Sequence, residues 1–273
     1  MSSATFLPTV AEATAAGYFP GRHTVEVTEV TELTPGVVRF TFRDPYIAAH
    51  AKPAQFVNLF SHDPMKLLPR PFGVSEVSGD LVSLIFAVVG TGTAEFAAMR
   101  AGDAIDVLGP LGGSFKVKEP AHYVLVGGGL GVPPLIYAAQ RLAERDDCAV
   151  TAVFGYRDAH FADEFVSRYV DTRSIDETEG NVVTLLDRME AELTAPREDG
   201  LKTVFLTCGP TPMMKAVALW ASRRGIECQA SMEQRMGCGY GTCVVCVVDT
   251  VDGRRKVCSD GPVFTAQQLG WEA

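Results

Sequence analysis

Four of the seven cysteines lie close together near the C-terminus, in a pattern that could hold an iron–sulfur centre. They are Cys238, Cys243, Cys246 and Cys258. The first three follow the C-x4-C-x2-C spacing of plant-type [2Fe–2S] proteins, in which thiolates hold two irons. Glycines in this segment allow the loop to bring backbone N–H groups close to the sulfurs, and such hydrogen bonds tune a reduction potential. We therefore predict a [2Fe–2S] cluster.

A structural zinc site is the alternative for the same cysteines. Zinc loops usually carry two C-x2-C knuckles, whereas this segment has one knuckle and a glycine-rich gap. Structural cysteines without a ligand are a third interpretation. Eleven residues separate Cys246 from Cys258, which predicts a compact module rather than the ferredoxin fold. The odd total and the clustering argue against a framework of disulfides.

Two glycine-containing turns have the context of a nucleotide site. The first, Gly-Gly-Gly-Leu-Gly, lies between an apolar strand and a helix, although its spacing is not G-x-G-x-x-G. The second, Cys-Gly-Pro, also follows a strand and opens a helix. Two such turns at one edge of a parallel sheet form a crevice where a diphosphate meets helix N-termini. Purely structural glycines are the alternative. The candidate residues are Gly127, Gly128, Gly129, Gly131, Cys208, Gly209 and Pro210.

A second group of candidates lies in the N-terminal half. Arg70 sits on a strand-like segment between prolines, where its guanidinium could pair with a diphosphate through two hydrogen bonds. Gly92 and Thr93 form a glycine turn, with Thr93 as the predicted N-cap of a short helix over 94–100. An ordinary surface turn and an ordinary cap are the alternatives for these two features.

The elements that must position these residues change character near Pro120. From His23 to about Val117, short alternating runs separated by Gly and Pro predict a small antiparallel β-barrel. After Pro120, apolar strands alternate with helices, as in a doubly wound parallel sheet. This alternation includes a predicted strand over 181–184 and a helix over 185–193. A hairpin is predicted around 251–253.

We therefore predict an α/β plus all-β fold in four parts. A lead-in covers 1–22, the barrel covers 23–118, the α/β domain covers 119–225, and a small module with the cysteines covers 226–273.

Composition excludes several classes of function. Lys and Arg number 24 against 33 Asp and Glu, a net charge of −9, which argues against a nucleic-acid partner. The most apolar runs, 81–89 and 124–139, are too short or too interrupted by Gly and Pro to span a membrane. No Lys or Arg precedes Arg22, so we expect no secretory signal and a cytoplasmic location.

The order of four motifs in this sequence resembles that of the ferredoxin–NADP reductase superfamily. The motifs are Arg-Pro, Gly-Thr, Gly-Gly-Gly-x-Gly-Val-x-Pro and Cys-Gly-Pro-x-Pro-Met-Met. Two C-terminal motifs narrow the resemblance to one family within this superfamily. They are Glu233-x-Arg-Met-x-Cys-Gly-x-Gly-x-Cys-x-x-Cys and Val257-Cys-x-Asp-Gly-Pro-Val-Phe264. The sequence is similar to the electron-transfer subunits of class 1B dihydroorotate dehydrogenases. The resemblance covers about residues 23–265.

The resemblance implies FAD on the barrel, NAD(H) on the α/β domain and the cluster ligated by the four cysteines already named. It carries FAD contacts over to three short segments. Gly73 stands where a serine is usual beside the flavin, and Ala87 stands where a basic residue is common, which leaves Arg70 as the main cation for the phosphates. The implied FAD residues are Arg70, Pro71, Phe72, Gly73, Ile85, Phe86, Ala87, Gly92 and Thr93.

The function that the resemblance implies is an electron relay. A separate FMN-containing catalytic subunit, in a heterotetramer of two plus two, would oxidise dihydroorotate, and electrons would pass through the cluster and FAD to NAD+. We find no acid–base or nucleophile–base pair for the oxidation itself. Cys208 would approach the nicotinamide or serve as an apolar filler. Arg157 is either a contact for a 2′-phosphate or a solvated side chain.

Two further hypotheses stay open. The first is a related FAD/[2Fe–2S] reductase subunit with another partner, of the sulfide dehydrogenase or ferredoxin-dependent transhydrogenase type. The second is a cysteine-bearing regulatory module without redox turnover.

Overall fold

The computed structural model describes residues 21–273, and the first part of this range forms a closed antiparallel barrel. Nearly all of the predicted lead-in lies outside the described residues. The barrel strands run in the order β1-β2-β5-β4-β3-β6, and their inward side chains form one apolar core. The elements are β1 His23–Thr34, β2 Val37–Arg43, α1 Pro45–His50, β3 Phe56–Phe60, β4 Arg70–Ser78, β5 Leu81–Ala87, α2 Thr91–Ala97 and β6 Ala104–Leu111.

The short helices of the barrel differ from the sequence-based prediction. Helix α1 has no apolar periodicity, but the Asp44 side chain accepts hydrogen bonds from the N–H groups of Tyr46 and Ile47, so this carboxylate starts the helix. Helix α2 begins three residues before the predicted start, and its N-cap is Gly90. The prediction of Thr93 as N-cap is therefore wrong. The Thr93 hydroxyl reaches back one turn and accepts from Gly90 N, 3.1 Å away.

The second part of the chain is built on a six-stranded sheet in the order β14-β11-β10-β7-β8-β9. Five of its strands are parallel and β14 is antiparallel, so the predicted doubly wound sheet is confirmed. The strands after the barrel are β7 His122–Gly128, β8 Ala149–Gly155, β9 Asp171–Ile175, β10 Thr203–Cys208, β11 Glu227–Ser231, β12 Val247–Thr250, β13 Gly253–Lys256 and β14 Val263–Thr265.

Helices cover both faces of this sheet because its strands are apolar on both sides. Val124 and Val126 of β7 share one core with the helices after β9 and β10, whereas Tyr123 and Leu125 share another core with the helices after β7 and β8. These helices are α3 Pro133–Ala143, α4 Asp163–Val166, α5 Val182–Arg188, α6 Glu190–Thr194 and α7 Thr211–Ser222. No helix among residues 21–273 is long and apolar enough to cross a membrane.

The strand predicted over 181–184 is wrong. Asn181 is the N-cap of α5, and its side chain accepts from the N–H groups of Val183 and Thr184. The two valines that suggested a strand form the first turn of that helix. The actual strand, β9, lies at the edge of the sheet and carries mostly polar residues, so apolar patterning does not reveal it.

The cysteine segment is an excursion from the sheet. Strand β11 falls inside the predicted module of 226–273, yet it pairs with β10 along its whole length. Strand β14 returns to pair with β11, and Ser231 lies opposite Val263. The predicted boundary at 226 therefore falls before a strand of the sheet, and the cysteines lie in the loop that joins β11 to β14. The predicted hairpin around 251–253 is present as β12 and β13.

A buried histidine at the start of β7 makes the stability of this sheet depend on pH. The Nε2 atom of His122 lies 2.9 Å from Thr151 Oγ1, and burial lowers the pKa of His122 to about 4. Between pH 6.5 and 4 the unfolded chain therefore binds a proton that the folded chain does not, so stability falls as the pH falls. The effect is at most about 3.5 kcal/mol, from about 1.4 kcal/mol per pKa unit.

We expect His122→Gln, which keeps a hydrogen-bonding group without a titrating one, to reduce this pH dependence. Melting temperatures of the two proteins should be compared at pH 7, 5.5 and 4, so that other titrating groups cancel. The variant should lose less stability on acidification than the wild type. Parallel pH profiles would show that His122 does not contribute.

Candidate functional site

The two glycine-containing turns meet at the carboxyl edge of the sheet. Strand β7 leads into a 3-10 turn at Gly129–Gly131 and then into α3, while β10 leads through Gly209 into α7. The two strands are neighbours, with Gly127 opposite Cys208. A Cβ atom at Gly131 would overlap the Cys208 carbonyl, so a glycine is required where the turns touch. The structure thus brings the two predicted nucleotide turns together.

Cys208 is buried at this crevice as a neutral thiol. It lies opposite Ser231 on the neighbouring strand β11. Burial raises the pKa of Cys208 to about 12, with a smaller contribution from Glu233. The thiol therefore stays protonated at neutral pH, which suits packing against a ligand and does not suit thiolate chemistry.

Arg70 lies beside the first turn of α2, which brings the two predicted phosphate-binding features of the barrel together. A Cβ atom at Gly92 would overlap the Arg70 guanidinium, and Arg70 donates to the Leu68 carbonyl. Among residues 21–273, no carboxylate lies within ion-pair distance of Arg70. Lys66 also reaches this helix, but it pairs with Glu95 at 3.0 Å. A cation without a carboxylate partner beside a helix start fits the diphosphate of a dinucleotide.

The strand residues of the predicted flavin site divide between two environments. Phe86 points into the barrel core, where its ring lies 4.5 Å from that of Phe72. Ile85 faces the other way and packs in the core shared with α3. Gly73 also faces this helix, and a Cβ atom there would lie 2.8 Å from Cγ of Pro134. Residue 73 is therefore a glycine at a position where Pro134 of α3 occupies the space that a side chain would need.

The four clustered cysteines form two pairs. The Cys243 side chain lies close enough to Cys238 to affect its pKa, and the Cys246 side chain lies close enough to Cys258 to affect its pKa. Backbone groups of the glycine-rich loop point at the sulfurs, since Gly241 N donates to Cys258 Sγ at 3.2 Å and Cys243 N donates to Cys238 Sγ at 3.4 Å. Within residues 21–273, no group of three or more His, Cys, Asp or Glu is arranged as a site for a metal ion. Two thiol pairs with N–H donors fit a two-iron cluster that takes two thiolates at each iron.

The environments of the two pairs differ. Burial raises the pKa of Cys238, but the N–H groups of residues 243, 240 and 242 outweigh this effect and lower it to about 6. Burial and the neighbouring Cys246 thiol raise the pKa of Cys258 to about 12. One pair is half-buried and carries a stabilised thiolate, whereas Cys246 and Cys258 are buried. Thiolate is the form that binds metal.

Two side chains that sequence reasoning did not single out hold the cysteine loop. Lys256 Nζ donates to the Gly241 carbonyl at 2.6 Å. Asn58 of β3 donates through Nδ2 to the Cys238 carbonyl at 2.9 Å, across 180 residues of sequence. The sequence signal that could identify Asn58 is that it is the one polar residue in the otherwise apolar strand Phe56–Phe60. Arg157, two residues after β8, is 83% exposed, and its Nε is 3.9 Å from Glu177 Oε1.

The C-terminal segment matches a known family model. Residues 233–270 match the model described as the iron–sulfur cluster binding domain of dihydroorotate dehydrogenase B. This match includes all four clustered cysteines and confirms the predicted iron–sulfur segment over the zinc alternative.

Two curated relatives match over most of the chain. The electron transfer subunit of dihydroorotate dehydrogenase B (NAD(+)) from Bacillus velezensis is 37% identical over 253 residues, which cover 88% of this chain and 95% of the relative. The subunit of the same name from Clostridium acetobutylicum is 30% identical over 250 residues, which cover 91% of this chain and 97% of the relative. These relatives contradict the hypothesis of a module without redox turnover.

Solved structures agree on the architecture. An NADH-dependent reduced ferredoxin–NADP oxidoreductase, described for flavin-based electron bifurcation, superposes with a TM-score of 0.79 at 28% identity, over 90% of each chain. The ferredoxin reductase of carbazole 1,9a-dioxygenase has a TM-score of 0.59 at 18% identity, over 75% of this chain and 66% of that chain, and shows the fold alone.

Arg70→Met should weaken FAD binding. Losing the charge-assisted hydrogen bonds of one guanidinium, about 1.5–3 kcal/mol, corresponds to an increase in Kd of roughly 10- to 100-fold. Flavin fluorescence during reconstitution of the flavin-free protein measures this constant. Arg43→Met is the matched control, because Arg43 is a half-exposed arginine of the same barrel that pairs with Asp80. Equal affinities in the two variants would show that Arg70 does not bind the flavin.

Proposed function

The chain belongs to the family of the electron transfer subunits of dihydroorotate dehydrogenase B, and we propose that it passes electrons from a dihydroorotate-oxidising subunit to NAD+ in pyrimidine biosynthesis. The observation that carries this proposal is the place of the cysteine loop. This loop leaves the sheet at Ser231, which pairs with Cys208 at the end of β10. A cluster in the loop would therefore lie next to the nucleotide crevice.

When bound, FAD exchanges a hydride with nicotinamide and single electrons with an iron–sulfur cluster, which is why a flavin is needed between the two. In the proposed site, the Arg70 guanidinium and the first turn of α2, with Gly92 and Thr93, hold the FAD phosphates. Pro71 to Gly73 and Ile85 to Ala87 supply strand edges along the flavin. Gly73 leaves room for α3 to pack closely against this strand.

The nucleotide crevice would bind NAD(H) through its two turns. Glycines 127, 128, 129 and 131 let the backbone approach a diphosphate, and α3 presents its N-terminus there. Gly209 and Pro210 form the opposite wall, while the protonated Cys208 thiol offers an apolar surface at the end of β10. No side chain needs to donate or accept a proton for hydride transfer between the two cofactors.

The cysteine pairs would divide the cluster between them. Cys238 and Cys243 would ligate one iron, and Cys246 and Cys258 the other. The N–H groups of Gly241 and Cys243 would donate to the ligating sulfurs, which favours the reduced, more negative state.

The surface of the cysteine loop supports the proposal of a docked catalytic subunit. Tyr240, Val244 and Val245 flank the clustered cysteines and are 55%, 73% and 57% exposed, and exposed apolar patches mark surfaces for protein–protein contact. A groove of about 830 Å³ runs between this loop and the barrel. We propose that an FMN-containing subunit covers this surface in a two-plus-two heterotetramer. A cytoplasmic location suits seven free cysteines.

A second candidate function is favoured by the structural likeness to the NADH-dependent reduced ferredoxin–NADP oxidoreductase. The match covers 90% of this chain and 90% of that protein's chain. The same cofactors would then serve a different partner, such as a ferredoxin-dependent transhydrogenase. The fold would be unchanged, and the docked partner would decide the electron donor.

The test is NAD+ reduction by dihydroorotate after co-expression with the FMN subunit of the source organism. Cys246→Ser should abolish this activity and the paramagnetic resonance of the reduced cluster, while NADH still reduces bound FAD. Cys148→Ser, which changes a half-buried cysteine outside the loop, is the matched control and should retain both.

Three results would contradict the proposal. They are a purified wild-type complex without the cluster resonance, stoichiometric zinc in its place, or an absence of orotate formation with both cofactors bound.

A further inference from the structure

Asn58 stands out as a fully buried amide on the outer face of a barrel strand. The neighbours Val57 and Leu59 point into the barrel core. Side chains alternate along a strand, so Asn58 points outward with Phe56, which packs in the core that contains Cys246 and Cys258. Asn58 therefore lies where the barrel meets the cysteine module.

The amide of Asn58 contacts the cysteine loop at two places. Its Nδ2 donates to the Cys238 carbonyl at 2.9 Å. The next residue, Gly239, has a φ of +82°, and a Cβ atom there would lie 2.5 Å from Nδ2. The loop thus follows the amide closely because residue 239 has no side chain.

The oxygen of this amide has no such partner. Asn58 Oδ1 is buried without a hydrogen bond among the residues that the structure describes. An unpaired buried oxygen is costly, so the packing of the barrel alone does not account for an amide at this position. The Nδ2 bond to the cysteine loop is the interaction that such a residue would lose.

The same residue borders the strand that carries the proposed flavin contacts. In the antiparallel pair of β3 and β4, Asn58 lies opposite Pro71, and Leu59 lies opposite Arg70. Directly opposed residues of such a pair are about 5 Å apart at Cα. Asn58 therefore connects a cluster ligand, through one hydrogen bond, to the strand next to the proposed flavin site.

We propose that Asn58 is a positioning residue for electron transfer, whose amide holds Cys238 against the flavin-binding barrel. The rate of electron transfer falls steeply with the distance between two redox centres, so a loose Cys238 loop slows the step between flavin and cluster. Hydride transfer from NADH to the flavin does not involve this contact. The inference rests on the proposed function only in requiring that the chain bind FAD and the cluster.

The test separates the two steps in the purified complex by stopped-flow mixing with NADH. Each NADH gives two electrons to the flavin as a hydride, each cluster then takes one of them, and the other stays on the flavin. In Asn58→Leu, flavin reduction should keep its wild-type rate, whereas cluster bleaching should slow severalfold, because the hydrogen bond that holds the Cys238 loop against the barrel is lost.

The midpoint potential and paramagnetic resonance of the cluster give a second readout that does not depend on turnover. Asn58→Asp keeps the size of the side chain but replaces the donor with an oxygen. It should lower the midpoint potential, because both the lost donor and any added negative charge disfavour reduction. Gly239→Ala should perturb the same contact from the other side and should also slow cluster bleaching.

Thr41→Val is the control for general damage to the barrel. It removes a buried hydrogen bond to Ser83, 2.9 Å long, from β2, which lies opposite β3 in the closed barrel. This variant should leave cluster bleaching and the cluster potential unchanged.

Two outcomes overturn the inference. One is a set of Asn58 variants that retain both cofactors with wild-type bleaching rates and potentials. The other is a parallel loss of all readouts in the Asn58 variants and in Thr41→Val. If the wild-type complex fails to oxidise dihydroorotate but still passes electrons from NADH to the cluster, the proposed donor fails while this test remains decisive for Asn58.

Discussion

The pairing of β14 with β11 is the constraint on which the position of the redox groups depends. Because these adjacent strands are hydrogen-bonded over Gln229 to Ser231, the cysteine segment must leave and re-enter the sheet at one point. That point is the carboxyl end of the parallel strands, where the glycine turns after β7 and β10 also lie. One set of backbone hydrogen bonds thus places an iron–sulfur loop beside a nucleotide crevice without a separate domain fold.

The barrel is fixed to the same strands by contacts on either side of this loop. The Gln229 side chain exchanges two hydrogen bonds with the backbone of Lys116, just after the barrel. Gly113 N donates to Gly261 O at 2.6 Å, near the end of the cysteine loop. On the far side, Gln140 of α3 exchanges two hydrogen bonds with the backbone of Val77 in β4. The barrel, the α/β sheet and the cysteine loop are therefore held in place by one another, as electron transfer over fixed distances requires.

The sequence predicts the chemistry better than it predicts the supports for that chemistry. Cysteine spacing and glycine turns are local patterns, and so is the change from alternating to wholly apolar strands. The edge strand β9 is polar, and after Asn181 one capping side chain outweighs the two β-branched residues that predict a strand. The role of Asn58 cannot be predicted from local sequence for a different reason. Its partner lies 180 residues away, and only the folded chain brings the two together.

The two departures from the family pattern have different physical consequences. At residue 73 the departure is structural, because a side chain there would meet Pro134 at 2.8 Å, so the glycine and the proline form a matched pair. At residue 87 no such compensation is present, since Ala87 provides no charge and Lys66 is already paired with Glu95. That carboxylate is firmly ionised: burial opposes its charge, but hydrogen bonds from Ser61, His62 and Lys66 lower the pKa of Glu95 to about 2. Lys66 therefore faces an ionised carboxylate at neutral pH, and among residues 21–273 Arg70 is the cation beside α2 that has no carboxylate partner.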